Sequence, residues 1–600
     1  MCGINFLVNP GNDGQQKIRA MMEATQHRGP DHSDWEGVDN HLFVAGNRLK
    51  ILDLGDLANQ PIITSDGNGI LVWNGALYNY QDLRNELLDH GVSFATQSDS
   101  EMLIQWLKLF GAEGALKLEG MFSFVFVDKS KKSILVARDV TGKKPLYYFH
   151  KQNQWAFSSE TVGIMASELI NAQLDTEQLL PYFYSRHPFP ENSLYKDVKQ
   201  MRPGKLLELN FEGEIVSDIR LEQGIAQTEK LPNLEEFENL LLDAVLKHFH
   251  AEVPVGVILS GGADSSLLLK TWHRETGTPL HTYTAIFEKK YQKLYPDAQF
   301  AREVAISMHC GHHEVLITQQ SLLNNWPAYI ASLDQPIGDS ASFLTWMIGR
   351  EAKKQVKVLI SGAGADELFS GYNRHQAFRK YLKQPGLYYN LASIVNKLGL
   401  GSRYMKKFAA SIDSDPVATY MNFSSLQSIP PEHQNQFRKY YPNDYKEPYK
   451  NALEWDRGYY LVNDILKVHD NATMAHGIEG RAPYLDKGIL NLSRSLSGEL
   501  HLGLEPKLWI KQLLIKYGLQ RVAGRKKHGF GLPLKEWLSE EGVFKATVFQ
   551  DIEDFHRTHG SLMPTEMRKI AENPALFVKA GFLQLFNLYI LASWVKHRGL

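Results

Sequence analysis

Residues 255–266 read VGVILSGGADSS, a short β-branched apolar run that passes straight into Ser-Gly-Gly-Ala-Asp-Ser and then into helical periodicity. Such a run bounded by glycine predicts a buried strand over 255–259. The adjacent glycines Gly261 and Gly262 let the backbone turn tightly and aim its N–H groups at an anion, and the following helix adds the positive end of its dipole. Ser260 and Ser265 supply hydroxyls, and Asp264 a carboxylate able to hold a divalent cation against phosphate oxygens. The loop therefore reads as a pyrophosphate cradle. It lacks the Gly-Lys-Ser/Thr ending of a Walker loop and the three spaced glycines of the dinucleotide fingerprint.

Around this loop, from about 234 to 375, helix and strand alternate. Helices are expected at 234–249, 265–275 and 298–308, and strands at 281–287, 313–318 and 356–361. That order predicts an α/β region, a parallel sheet covered by helices on both faces, with ligands at the carboxyl ends of its strands. A second loop, VKVLISGAGADELFSGY (356–372), again ends a strand in Ser361-Gly362 and then supplies Asp366 and Glu367. Carboxylates beside a triphosphate repel one another unless a cation lies between them, so Asp264 and Asp366 are expected to hold Mg2+. From about 376 to 600 the chain reads as mainly helical.

Upstream, residues 1–209 show short strand-like runs with helical stretches at 80–90 and 99–110, which predicts an antiparallel α+β domain with stacked sheets. The polar segment 210–233 reads as a linker, and 234–600 as a second domain. A length of 600 residues accommodates this organisation. A net charge of −2 gives no argument for a nucleic-acid or membrane partner. Two cysteines, Cys2 and Cys310, cannot build a disulfide framework, and no charged-then-apolar leader precedes the first structured stretch. The most apolar run, 582–595, is interrupted by Gln584 and Asn587 and too short to span a bilayer. A cytoplasmic protein is expected.

MCGINF (1–6), HRGPD (27–31), WNGALYNY (73–80), TQSDSE (96–101), LEGMFSFVFVD (118–128), ARDVTGKKPLYY (137–148) and FSSE (157–160) together resemble the class II glutamine amidotransferase domain, over essentially residues 1–200. The resemblance implies an Ntn-hydrolase type αββα sandwich. It makes Cys2, freed of Met1, the nucleophile and its own α-amine the general base, a role suited to an amine that titrates near ~8. It makes the Asn74 side chain and the Gly75 N–H the oxyanion donors. Arg48 then grips the glutamine α-carboxylate and Asp99 the α-ammonium, with Leu49, Lys50, Ile51, Leu52 and Ala76 completing the pocket. Family members usually carry Asn-Gly-Glu where this chain has Asn74-Gly75-Ala76, so weaker glutamine affinity is expected.

The Ser-Gly-Gly-x-Asp-Ser loop is similar to that of ATP pyrophosphatases. With the amidotransferase half, nearly the full chain resembles the glutamine-hydrolysing asparagine synthetase family. DQPIGDSA (334–341), HDNATMAHGIEGRAPYLD (469–486) and RKKHGFGLP (525–533) add to the match, as do REVA (302–305) and HHEV (312–315). The resemblance implies that a carboxylate, in this family that of aspartate, attacks the α-phosphorus of ATP. Ammonia carried through an interior passage then displaces AMP. Leu259, Ser260, Gly261, Gly262, Asp264, Ser265, Ile286, Ser361 and Gly362 would line the ATP. Lys527 would offset charge on the phosphates, Lys507 would meet phosphate and Arg481 the substrate carboxylate. A homodimer is also suggested. One departure bears on the acceptor: the family's acid in the second loop is Ala363 here. Glu367, Asp339 and Glu479 are unranked substitutes, and amidation of another carboxylate, on a cell-wall precursor, peptide or other small metabolite, is the alternative. MHCGHHEV (308–315) matches no structural zinc spacing.

Overall fold

The strand that opens the chain, Cys2–Val8, is buried along its whole length because it is covered on both faces. The computed structural model describes residues 2–222, 224–228, 230–399, 403–443, 446–525 and 529–600. Alternation along the strand divides its side chains: Ile4, Phe6 and Val8 point to a second sheet carrying Ile70, Val72, Val125 and Val127. Leu7 joins Ile18 and Met21 of the helix Gly14–Ala24 on the other face. The second sheet is covered outside by the helix Asp99–Ala115, whose Leu103, Trp106 and Leu107 pack with Leu71 and Trp73. Helix, sheet, sheet and helix are thus stacked, the αββα arrangement expected, with six antiparallel strands in each sheet.

The second sheet continues past Lys205–Asn210 into Ile215–Arg220, paired antiparallel to it. Among its described residues, the 210–233 segment is therefore irregular only from 221 onward. It leads into the helix Leu234–Phe249, which starts with a capping box between Asn233 and Glu236.

The second domain is built on five parallel strands in the order Gly311–Ile317, His281–Phe287, Val255–Ile258, Val358–Ile360, Glu479–Arg481. The first four agree with the sequence reading to within a few residues. The fifth was not foreseen, because three residues with a glycine between two charged side chains give no strand pattern. It forms because Ile360 pairs with Arg481 along the edge of the sheet. The rest of the chain is mainly helical. The last helix, Phe582–Arg598, is buried from Leu585 to Val595; the buried Asn587 Nδ2 donates to the Tyr182 carbonyl at 3.1 Å, and the Tyr182 hydroxyl donates to the Asn587 carbonyl at 3.2 Å. Among the described residues no helix is long and apolar enough to cross a membrane.

Candidate active sites

Cys2 lies at the end of its strand, 6% exposed, with Arg48 opposite it in the register. Its Sγ accepts from Gln60 Nε2 at 3.1 Å, and Gln60 Oε1 accepts the Trp73 N–H at 2.7 Å, which fixes the orientation of that amide. Gln60 was invisible in the sequence because it sits in a loop with no motif around it. The Asn74 amide comes from the neighbouring sheet. Its Oδ1 accepts the Cys2 N–H at 3.1 Å, while its buried Nδ2 has no partner among the described residues. An orphaned buried donor beside a thiol suits an incoming oxyanion. Gly75 is required by close packing, since a Cβ there would lie 2.0 Å from the Met121 carbonyl oxygen.

Arg48 is buried and wrapped by the loop that follows. It donates to Gly55 O at 2.7 Å, Asn59 Oδ1 at 2.8 Å and Leu52 O at 3.4 Å, and to the Asp53 carbonyl. Leu49 and Ile51 pack into the core of the second domain, and Ile51 O accepts the Glu252 N–H at 3.1 Å, so this loop is anchored across the domain seam. Lys50 pairs with Asp56 at 2.6 Å, and Ala76 is buried in its strand. Asp99 opens a helix capped by Ser98 and is 5% exposed. Burial pushes its carboxyl up to about 7, and the Glu479 charge adds to the push.

In the second domain the order of the sheet reverses between Val255–Ile258 and Val358–Ile360, which lie side by side. Crevices form at such a switch point. The loop after each strand turns through a left-handed glycine, Gly261 at φ 66° and Gly364 at φ 92°, into the first turn of a helix. These turns carry Asp264 and Asp366. Ser260 and Ser265 hydroxyls meet at 3.1 Å, and a Cβ on Gly362 would lie 2.8 Å from that of Asp264, so the two predicted loops touch. Both carboxylates converge on Lys507 Nζ, at 2.6 and 2.8 Å for Asp264 and 2.7 Å for Asp366. Ile286 joins Ser260, Thr284, Phe287, Phe530 and Gly531 around a cavity of about 30 Å³ beside the loop. Leu259 and Ser361 are buried directly after the strands Val255–Ile258 and Val358–Ile360.

Other predicted residues fall elsewhere. Arg481 is tied to Glu479 at 2.5 Å and to the His248 and His250 carbonyls at 2.8 and 2.6 Å, so its guanidinium is turned to the neighbouring helix end. Against the upward push of burial, Arg481 holds the Glu479 carboxyl at about 2. Asp339 is bonded to Arg186 at 2.7 Å. Glu367, 1% exposed and adjacent to Asp366, accepts from the Tyr372 hydroxyl, and burial together with Asp366 raises its carboxyl to about 7. Lys527 lies outside the described residues, as does Met1. His312 and His313 are engaged across the sheet with Thr282 and His281, at 2.9 and 3.0 Å. Among the described residues no group of three or more His, Cys, Asp or Glu forms a ready-made metal cage.

The domain seam between the two sites is polar and buried. Arg28 donates to Glu160 at 2.7 Å, to Asp470 at 3.0 Å and to the Cys2 carbonyl at 3.4 Å. Two small cavities of about 20 and 10 Å³ lie along it; Lys143, Leu466 and Asp470 border both.

A cysteine-bearing αββα sandwich seamed to a parallel sheet with a phosphate loop at its switch point defines a glutamine amidotransferase joined to an ATP-using synthetase. Family models divide the chain in the same way, a glutamine amidotransferase domain over residues 1–218 and asparagine synthase over 236–595. The chain belongs to the asparagine synthase family. It is 29% identical over 561 residues to asparagine synthetase [glutamine-hydrolyzing] 1 of Bacillus subtilis, covering 88% of this chain and 86% of that one. A putative asparagine synthetase [glutamine-hydrolyzing] 2 of Methanocaldococcus jannaschii is 30% identical, over 62% of this chain and 76% of its own. Among solved structures, the B. subtilis glutamine phosphoribosylpyrophosphate amidotransferase complexed with ADP and GMP overlaps 52% of this chain and 81% of its own at 16% identity, with a TM-score of 0.29.

Proposed function

We propose that this chain hydrolyses glutamine to ammonia at Cys2 and transfers the ammonia to an adenylated aspartate at the Asp264–Asp366 crevice, giving asparagine, AMP and pyrophosphate. The observation that carries the reading is the pairing of the two half-sites in one chain across a buried seam, with Arg28 touching both the Cys2 carbonyl and Asp470.

After removal of Met1 the Cys2 α-amine takes the thiol proton, and the thiolate attacks the glutamine side-chain carbonyl. Asn74 Nδ2 and the Gly75 N–H stabilise the oxyanion, ammonia departs with a proton, and water releases glutamate from the thioester. Arg48 and Asp99 orient the α-carboxylate and α-ammonium. At the second site an aspartate β-carboxylate oxygen attacks the α-phosphorus and pyrophosphate leaves. The donor set suits Mg2+, since two carboxylates already converge where a hard cation would sit; bound there by Asp264 and Asp366, it would offset charge on the phosphates. Ser260, Ser265 and the loop N–H groups cradle the pyrophosphate, Lys527 draws off its developing charge, and the base lies on the Ile286 side of the loop. Ammonia then attacks the acyl carbon, AMP leaves, and a protein group accepts the surplus proton. Both cysteines are free, which suits a reducing cytoplasm.

Ala363, where the family has an acid, favours one second reading: the same chemistry on a different carboxylate. Pyrophosphate release from Mg·ATP with glutamine, with and without aspartate, tests both. Aspartate-dependent release with asparagine formation is expected. Glutaminase activity with no response to aspartate would overturn the aspartate assignment and leave the acceptor to be sought among other carboxylates.

A further inference from the structure

We propose that Lys507 is an internal competitor for the divalent cation: in the ligand-free protein its ammonium occupies the place between Asp264 and Asp366, so that metal binds together with nucleotide rather than ahead of it. The inference rests on the ATP and Mg2+ reading of this crevice.

The geometry is that of an occupied cation site. Lys507 Nζ has three donors, and three carboxylate oxygens lie at 2.6, 2.8 and 2.7 Å from it. The residue is 7% exposed and stands at φ 56°, and its N–H donates to the Phe369 carbonyl at 3.0 Å, so its Cα is fixed just before the helix Leu508–Lys516. Gly371 shapes the pocket: a Cβ there would lie 2.0 Å from Asp366 Oδ1 and 2.3 Å from Lys507 Cε. A hard dication needs the same oxygens at roughly 2.1 Å, and cannot share them with an ammonium at hydrogen-bond distance without strong repulsion. The lysine stem is flexible, so Nζ can swing away while the backbone stays. A triphosphate gives it somewhere to go, because phosphate oxygens replace the carboxylates as acceptors. Nucleotide arrival thus frees the carboxylates for the metal it brings.

The test is a Mn2+ titration of the full chain by electron paramagnetic resonance, with and without a non-hydrolysable ATP analogue. Wild type is expected to bind Mn2+ alone weakly and more tightly with the analogue. Lys507→Met is expected to bind Mn2+ alone roughly tenfold more tightly than wild type and to gain thermal stability from it. Lys507→Gln, which keeps a donor for the carboxylates, makes the same measurement if the methionine variant does not fold. Neutral variants that bind Mn2+ alone no better than wild type would overturn the competition while leaving the ATP reading intact. Absence of analogue binding to wild type, with or without metal, would remove the ATP reading and this inference together.

Discussion

Arg28 and Asp470, 442 residues apart in the chain, form an ion pair at 3.0 Å buried in the seam between the two domains. The same guanidinium holds Glu160 and the carbonyl of Cys2, the proposed nucleophile, so one side chain touches the Cys2 site and the second domain together. Asp470 lies on the helix Leu466–Met474, which continues the π-helical segment Asp456–Ile465.

Leaving a buried charge uncompensated costs about 3 kcal/mol or more, but Arg28 keeps Glu160 when Asp470 is lost, so the cost here is expected to be smaller. Asp470→Asn is therefore expected to lower the urea midpoint and to loosen the seam. The ratio of glutamate formed to amide formed should rise above that of wild type as ammonia escapes. An unchanged ratio alongside the lost stability would mean that the pair holds the domains together without guiding ammonia.

Asn74→Ala removes the orphaned Nδ2 donor and the acceptor for the Cys2 N–H. Glutaminase turnover should fall by a factor of about 100 to 1,000, the usual effect of losing one oxyanion donor. Synthesis driven by added ammonium should stay near wild type, since that route bypasses Cys2. A fall of less than about tenfold in glutaminase turnover would place the oxyanion elsewhere.

Much of this was legible in the chain itself because the chemistry and the local fold coincide. The strand 255–258 is a β-branched run buried on both faces, and the glycines after it are where the backbone must turn left-handed, as Gly261 does. The amidotransferase motifs likewise mark strand ends and turns. What the chain concealed are contacts made by distance in space. Gln60 reaches Cys2 from an unmarked loop, Ile51 packs into the other domain, and the strand Glu479–Arg481 exists only because an edge awaits it. Lys507 was read as a phosphate ligand; its position against both aspartates depends on a backbone conformation that no local pattern announces.

Asp99 gives a pH dependence with a definite sign. Burial, aided by Glu479, raises its carboxyl to about 7, so in the window above the ordinary carboxylate value and up to about 7 the folded protein keeps a proton that the unfolded chain has lost. Stability from this group is full at low pH and is lost as pH rises through that window, by a total of about 4 kcal/mol. Asp99→Asn should flatten the slope and raise the melting temperature of the ligand-free protein at pH 7.5. Glutamine binding runs the other way, because its α-ammonium needs the ionised carboxylate. The KM for glutamine should therefore rise as pH falls below 7 in wild type and be high at every pH in the variant.

The missing acid at Ala363 leaves a proton to be taken when ammonia attacks the acyl-adenylate, and the three substitutes are no longer equal. Glu479 is held ionised at about 2 by Arg481, too weak a base for an ammonium, and Asp339 is engaged by Arg186. Glu367 is buried next to Asp366 in the same short helix, oriented by the Tyr372 hydroxyl and raised to about 7, where a general base works best near neutral pH. Glu367→Gln should spare adenylation, read as exchange of labelled pyrophosphate into ATP, while lowering amide formation by a factor of about 100 or more. The acid limb of the amide-forming pH profile should flatten in the variant. Ala363→Glu introduced on that background should restore part of the rate, because it returns a carboxylate to the same loop. Equal loss of exchange and amide formation would instead assign Glu367 to binding the acceptor or nucleotide, and the proton would have to leave through water.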